Sequence, residues 1–137
     1  MDDFRPSIDA FLELLTSSNF PLADFSRLHF TGFSQGAAMA YAFALGHGDR
    51  LNSLAGLSGF LPDAAESAVA NEGLRSKPMF IAHGNQDSLV PVYRARETVN
   101  LFQKAGAQVT YCEDNVGHKL SANCFRGLEA FFAKQEF

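Results

Sequence analysis

The sequence predicts an α/β fold of about four parallel strands with helices on both faces, and three observations predict it. Strand-like apolar runs at about residues 28–32, 53–58, 78–82 and 108–112 alternate with stretches of helical periodicity, the pattern of strands joined by helical crossovers. The chain has 137 residues, 47% of them hydrophobic and 14 of them Phe. That is enough for one buried core, so a single domain over 1–137 is expected. Finally, three of the four runs lead into loops that carry Ser, Asp or His, and reactive side chains gather at the C-terminal edge of open parallel sheets.

The elements follow in order. A first helix is expected from Asp2 or Asp3 to Ser17-Ser18-Asn19, with Phe4, Ile8, Phe11, Leu12 and Leu15 along one face. Leu28-His29-Phe30-Thr31 reads as the first strand, and the small residues from Ala37 to Ala40 open a helix over about 35–45 that stops at Gly46. After the strands at 53–58 and 78–82, a helix over about 92–105 carries Val92, Ala95, Val99 and Phe102 on one stripe and stops at Gly106. The last strand ends in Tyr111-Cys112, and a final helix over about 121–134 turns Phe125, Leu128 and Phe132 inward. No repeat, low-complexity segment or linker interrupts the pattern. Cys112 falls in a strand and Cys124 on a helix. Two buried reduced thiols are the expectation, with a local disulfide as the alternative.

Residues 32–36 read Gly-Phe-Ser-Gln-Gly, a G-x-S-x-G placed where a strand turns sharply into a helix. The turn presents Ser34 Oγ in the open, with Gly32 and Gly36 filling positions that admit only small residues, and the Gln35 N–H points to where an oxyanion forms. An ordinary helix-capping serine is the alternative. What decides between them is whether an acid and then a histidine follow, as this turn requires. Asp87 lies in the loop after Met79-Phe80-Ile81-Ala82, and His118 in the loop after Val109-Thr110-Tyr111-Cys112. Ser34, Asp87 and His118 are therefore the candidate nucleophile, orienting acid and base. His29 is expected as a packed strand residue, His47 in a surface loop, and His83 as a shaper of the Asp87 loop. Glu113 and Asp114 are expected as solvated loop charges.

Gly32-Phe33-Ser34-Gln35-Gly36-Ala37, Leu57-Ser58-Gly59-Phe60-Leu61-Pro62, His83-Gly84 with Asp87 and Val90-Pro91, and Gly117-His118 occur in that order. Together they resemble the C-terminal part of an α/β-hydrolase of the phospholipase/carboxylesterase group, which includes acyl-protein thioesterases. The resemblance implies a serine hydrolase of carboxylic esters, with thioesters or lysophospholipids as possible substrates, working through an acyl-enzyme and needing no metal or organic cofactor. It also implies an acyl pocket lined by Phe33, Phe60, Leu61 and Val90, although these loop residues equally suit plain packing.

In that group several strands precede the nucleophile strand, whereas only 33 residues precede Ser34 here. A partial α/β-hydrolase fold is expected, lacking the family's N-terminal strands and the loop that supplies a second oxyanion N–H. Loss of one such donor costs about 2.7–4 kcal/mol. A weak or inactive remnant, acting as an assembly module or as half of a split enzyme, is the alternative function. The first strand, Leu28 to Thr31, would have an open edge, from which a homo-oligomer is expected. A net charge of −4 without a Lys/Arg cluster argues against nucleic-acid or acidic-membrane partners. No apolar run approaches the ~20 residues of a transmembrane helix. The acidic start Met1-Asp2-Asp3 is unlike a secretory signal, and a cytoplasmic protein is the expectation.

Overall fold

Alternate side chains of each strand face different helices, and this alternation sets the layers. The computed structural model describes residues 2–68 and 72–136. Strands β1 (Leu28–Phe33), β2 (Leu51–Leu57), β3 (Pro78–Gly84) and β4 (Gln108–Asp114) form one parallel sheet in the order β1-β2-β3-β4. Helices α1 (Arg5–Leu14), α2 (Gln35–His47), α3 (Val92–Lys104) and α4 (Ala122–Ala133) surround it. Leu54, Met79 and Ile81 pack with Tyr41 and Leu45 of α2 and with Val99 and Phe102 of α3. The intervening Ala55, Leu57, Phe80 and Ala82 pack with Cys124 and Phe131 of α4. Helix α1 lies over α2 and β1, where Ile8, Leu28, Ala42 and Phe43 are buried together. There the Phe11 and Phe30 rings meet Phe43 edge-on at 6.3 and 4.7 Å, a favoured aromatic geometry. These are the strands, helices and inward-facing α1 residues the sequence predicts.

Three details differ. Helix α2 runs one residue past Gly46; the chain turns at Gly48, where a Cβ would press on Leu74 Cδ2 at 2.8 Å. On α4, Phe125 is 50% exposed while Cys124 and Phe131 are buried, so the inward stripe starts one position earlier than its phenylalanines suggest. The cause is covalent: Cys124 is bonded to Cys112 of β4, so the two cysteines are not the expected reduced thiols. That bond fixes the rotation of α4 and turns the next residue out.

Among the described residues β1 is hydrogen-bonded to a neighbouring strand on one side only. Next to it lies an apolar recess of about 240 Å³ lined by Phe11, Phe30, Met39 and Phe43, among others. No helix among the described residues is long and apolar enough to cross a membrane.

The disulfide spans a sequence separation of 12, and a bridge closing a loop of this size stabilises by about 2–4 kcal/mol. Urea unfolding should show a loss of that order for Cys124→Ser, and the same loss for the native chain in dithiothreitol. If reduction leaves the midpoint unchanged, the β4–α4 contact is held without the bond.

Candidate active site

Each candidate side chain stands just beyond the C-terminal end of a strand. Phe33 closes the β1–β2 register opposite Leu57, and the next N–H, that of Ser34, donates to the Leu57 carbonyl at 2.8 Å. Ser34 has φ 55° and ψ −116°, a conformation that costs a non-glycine residue roughly 1–3 kcal/mol. Gly32 permits the sharp turn, because a Cβ there would run into the Gly36 carbonyl and lie 2.7 Å from the Ala37 nitrogen. At Gly36 a Cβ would meet nothing within 4 Å, so of these two glycines only Gly32 meets the expected steric need. The Ser34 hydroxyl does not cap α2. Gln35 begins α2 and is exposed, so its N–H belongs to the helix-end donors without an intrahelical acceptor, at the positive end of the helix dipole.

Asp87 follows β3 by three residues, and its side chain is wholly buried. Oδ1 accepts the Leu89 and Val90 N–H groups, both at 2.9 Å, and Oδ2 lies 2.7 Å from His118 Nδ1. Burial alone would push this carboxyl up. The Val90 N–H, the His118 ring and the Leu89 N–H outweigh it and hold Asp87 below the usual carboxylate range.

His118 reaches Asp87 because the loops after β3 and β4 are tied together. The Asn85 N–H donates to Asp114 O at 2.9 Å and the Gln86 N–H to Val116 O at 3.0 Å. Gly84 allows the approach, since a Cβ there would collide with the Val116 and Gly117 carbonyls. The other ring nitrogen of His118, Nε2, stands 3.0 Å from Ser34 Oγ. The structure thus brings together Ser34, His118 and Asp87, separated in sequence by 84 and 31 positions.

The remaining candidates divide. Phe33 is 45% exposed with its ring centroid 5.0 Å from that of His118. Leu61 instead packs against the core between α2 and α3, and the Val90 carbonyl is held by His83 Nε2 at 2.7 Å, which agrees with His83 as a shaper of this loop. Phe60 lies under the Arg94 guanidinium, 5.5 Å from its ring centroid, and the same Arg94 donates to the Leu61 carbonyl at 3.1 Å. Nothing in the sequence signals that clamp, because Arg94 reads as an ordinary helix-surface cation. His29 is bonded to Ser53 Oγ at 2.7 Å, as a packed strand residue should be. Glu113 and Asp114 are the last residues of β4, not loop charges. Glu113 takes both arms of Arg96 at 3.0 and 2.9 Å and the Tyr111 hydroxyl at 2.7 Å. Among the described residues no group of three or more His, Cys, Asp or Glu side chains is placed to hold a metal ion.

Residues 3–135 match the phospholipase/carboxylesterase family. An acyl-protein thioesterase 1 from Gibberella zeae is 29% identical over 113 residues, which make up 80% of this chain and 48% of that protein. The chain thus spans about half the length of that relative. A second acyl-protein thioesterase 1, from Kluyveromyces lactis, is 32% identical over 75 residues, 53% of this chain and 33% of that protein. The fold matches SOBER1 of Arabidopsis thaliana with a TM-score of 0.80 at 19% identity, over 96% of this chain and 63% of that one. A Bacillus cereus carboxylesterase matches with a TM-score of 0.74 at 21% identity, over 93% and 57%.

The Asp87 environment has a consequence for stability. Its carboxyl lies below the ordinary 3.8 in the folded chain, so its ionised form stabilises the fold fully above that value, and the contribution is lost as pH falls through the folded one. Asp87→Asn should unfold at lower urea than the native chain near neutrality, by about 1–3 kcal/mol. The gap should narrow below about pH 4, and a gap that is constant from pH 3 to 7 would contradict the assignment.

Proposed function

Because the chain belongs to the phospholipase/carboxylesterase family of α/β-hydrolases, we propose that it is a serine hydrolase of carboxylic esters, including the thioesters named in its curated relatives. One observation carries the reading: the continuous hydrogen-bond chain from Ser34 Oγ through His118 to the buried Asp87, at 3.0 and 2.7 Å.

The chemistry follows from which atoms can move a proton. Asp87 has only lone pairs to offer, so His118 Nδ1 carries the hydrogen between them, and Nε2 is left with the lone pair that faces Ser34. Nε2 takes the hydroxyl proton as Oγ attacks the acyl carbonyl, and Asp87 stabilises the imidazolium without itself taking the proton. The Gln35 N–H, aided by the α2 dipole, donates to the resulting oxyanion. Collapse expels the alcohol or thiol, which leaves with the proton from Nε2. Water, deprotonated by the same nitrogen, then attacks the acyl-enzyme; the Oγ–acyl bond breaks, Nε2 returns the proton to Ser34 Oγ, and the carboxylic acid departs. No step calls on a metal or an organic cofactor. The half-exposed Phe33 ring beside His118 supplies an apolar contact for the acyl group.

The open edge of β1 and its apolar recess are satisfied by a second copy of the chain, giving a homo-oligomer. A cytoplasmic location fits the composition, but the Cys112–Cys124 bond sets a condition on it, since cytosolic thiols are mostly kept reduced.

A fluorophosphonate should label Ser34 and no other serine, as read by mass spectrometry. Ser34→Ala and His118→Ala should each lower hydrolysis of a short-chain p-nitrophenyl ester by at least about 10³-fold. Label on Ser58, or none on the folded chain, would sink the reading. In light scattering at micromolar concentration the chain should exceed its monomer mass of 14.9 kDa; a stable monodisperse monomer would defeat the assembly statement alone.

A further inference from the structure

A second imidazole stands behind the carboxylate. The His83 side chain is wholly buried, and its Nε2 lies 2.7 Å from the Val90 carbonyl and 3.4 Å from Asp87 Oδ2, the oxygen that also receives His118. Both neighbours are acceptors, so Nε2 must bear the hydrogen. Its other nitrogen, Nδ1, is buried and has no hydrogen-bond partner. A proton there would be a buried donor without an acceptor, which costs far more than an unshared lone pair. The tautomer is therefore fixed by surroundings on both sides of the ring.

The charged and titratable groups around this ring are few. Asp87 faces it from its own loop. Glu113 pairs with it across the β3–β4 register, with its charge already taken up by Arg96 and the Tyr111 hydroxyl. His118 is reached through Asp87. Beyond the Val90 carbonyl, the acceptor that faces the His83 hydrogen among the described residues is Asp87 Oδ2, which also receives His118 Nδ1.

We propose that His83 is a positioning residue for the Ser34–His118–Asp87 chain, sharing its Nε2 hydrogen between the Val90 carbonyl and Asp87 Oδ2 and so setting how strongly that carboxylate holds a protonated His118. Its bond to Val90 fixes the backbone whose N–H groups clamp Oδ1. Its longer contact withdraws electron density from Oδ2, the oxygen on which the imidazolium depends. Without His83 the carboxylate binds the imidazolium more strongly, and His118 gives up its proton at higher pH. The inference deepens the hydrolytic reading and rests on it for its catalytic meaning.

Imidazole nitrogen NMR on the folded chain tests it without turnover. In the native chain His83 should show hydrogen on Nε2 alone, unchanged across the range in which His118 titrates. The His118 midpoint should rise by roughly half a pH unit in His83→Phe, the worth of one weak hydrogen bond to a carboxylate. It should return in His83→Gln, whose amide nitrogen reaches about as far from Cβ as Nε2 does. In ester hydrolysis the acidic limb of the kcat/KM profile should move in the same direction, which a purely structural loss would not produce. A native His83 that titrates with His118 or holds its hydrogen on Nδ1 would overturn the proposal, as would a His118 midpoint identical in the native chain and His83→Phe. If His83→Phe does not fold, His83→Leu takes its place: a His118 midpoint above the native one supports the proposal, and one equal to it overturns it. A native chain that takes no fluorophosphonate on Ser34 would defeat the hydrolytic reading, while the titrations would still judge His83.

Discussion

The hydrogen-bond ladder of the sheet continues for one step beyond the end of each inter-strand pairing, and the rest of the site depends on that step. The N–H of Ser34 donates to Leu57, that of Ser58 to Ala82 and that of Asn85 to Asp114, at 2.8, 2.9 and 2.9 Å. Parallel strands have evenly spaced bonds, so the extra rung fixes where each loop departs. Ser34 leaves from the first rung, and the loops bearing Asp87 and His118 leave from the third. Side chains far apart in sequence thereby meet within hydrogen-bond reach before any loop-specific contact is counted.

Around this edge several local rules are broken together. Ser34 and Ser58 adopt positive φ, a carboxylate and an imidazole are buried, and one imidazole nitrogen lacks a partner. Strain of this kind persists only where the surrounding packing over-determines it. Helix α2 provides that packing at the elbow, with Ala37, Ala38, Ala40, Tyr41 and Phe43 all buried, so that relaxing Ser34 would require moving a core helix. For Asp87 the counterweight is three hydrogen-bond partners on two oxygens, which hold the carboxyl below the usual carboxylate range inside the protein.

Much of this was legible in the sequence because it depends on short spacings. Apolar runs with period 2 or 3.6 mark the strands and helices to within two residues at most ends, since each element must bury one face whatever its neighbours are. The strand-turn-helix around Ser34 is legible because only a residue without a Cβ fits at Gly32. Asp87 and His118 are legible as candidates because successive parallel strands deliver successive loops to the same edge and the turn at Ser34 calls for an acid and then a histidine.

The tertiary structure alone decided the rest, wherever a residue's surroundings come from distant segments. On α4, Leu128 and Phe132 pack inward as expected, but Phe125 gives way to Cys124, which is bonded to Cys112. Glu113 became an ion-pair partner because Arg96 of α3 stands beside it across a sequence distance of 17. Gly36 has open space where local reasoning expects crowding, because it borders the apolar recess beside β1. His83 is held by Val90 on one side and left bare on the other, a state that neither its spacing to Asp87 nor its residue type encodes. Sequence periodicity determined which elements form and in what order they reach the sheet edge. Only long-range packing decided how each helix is rotated and which side chains from separate loops meet beyond the sheet edge.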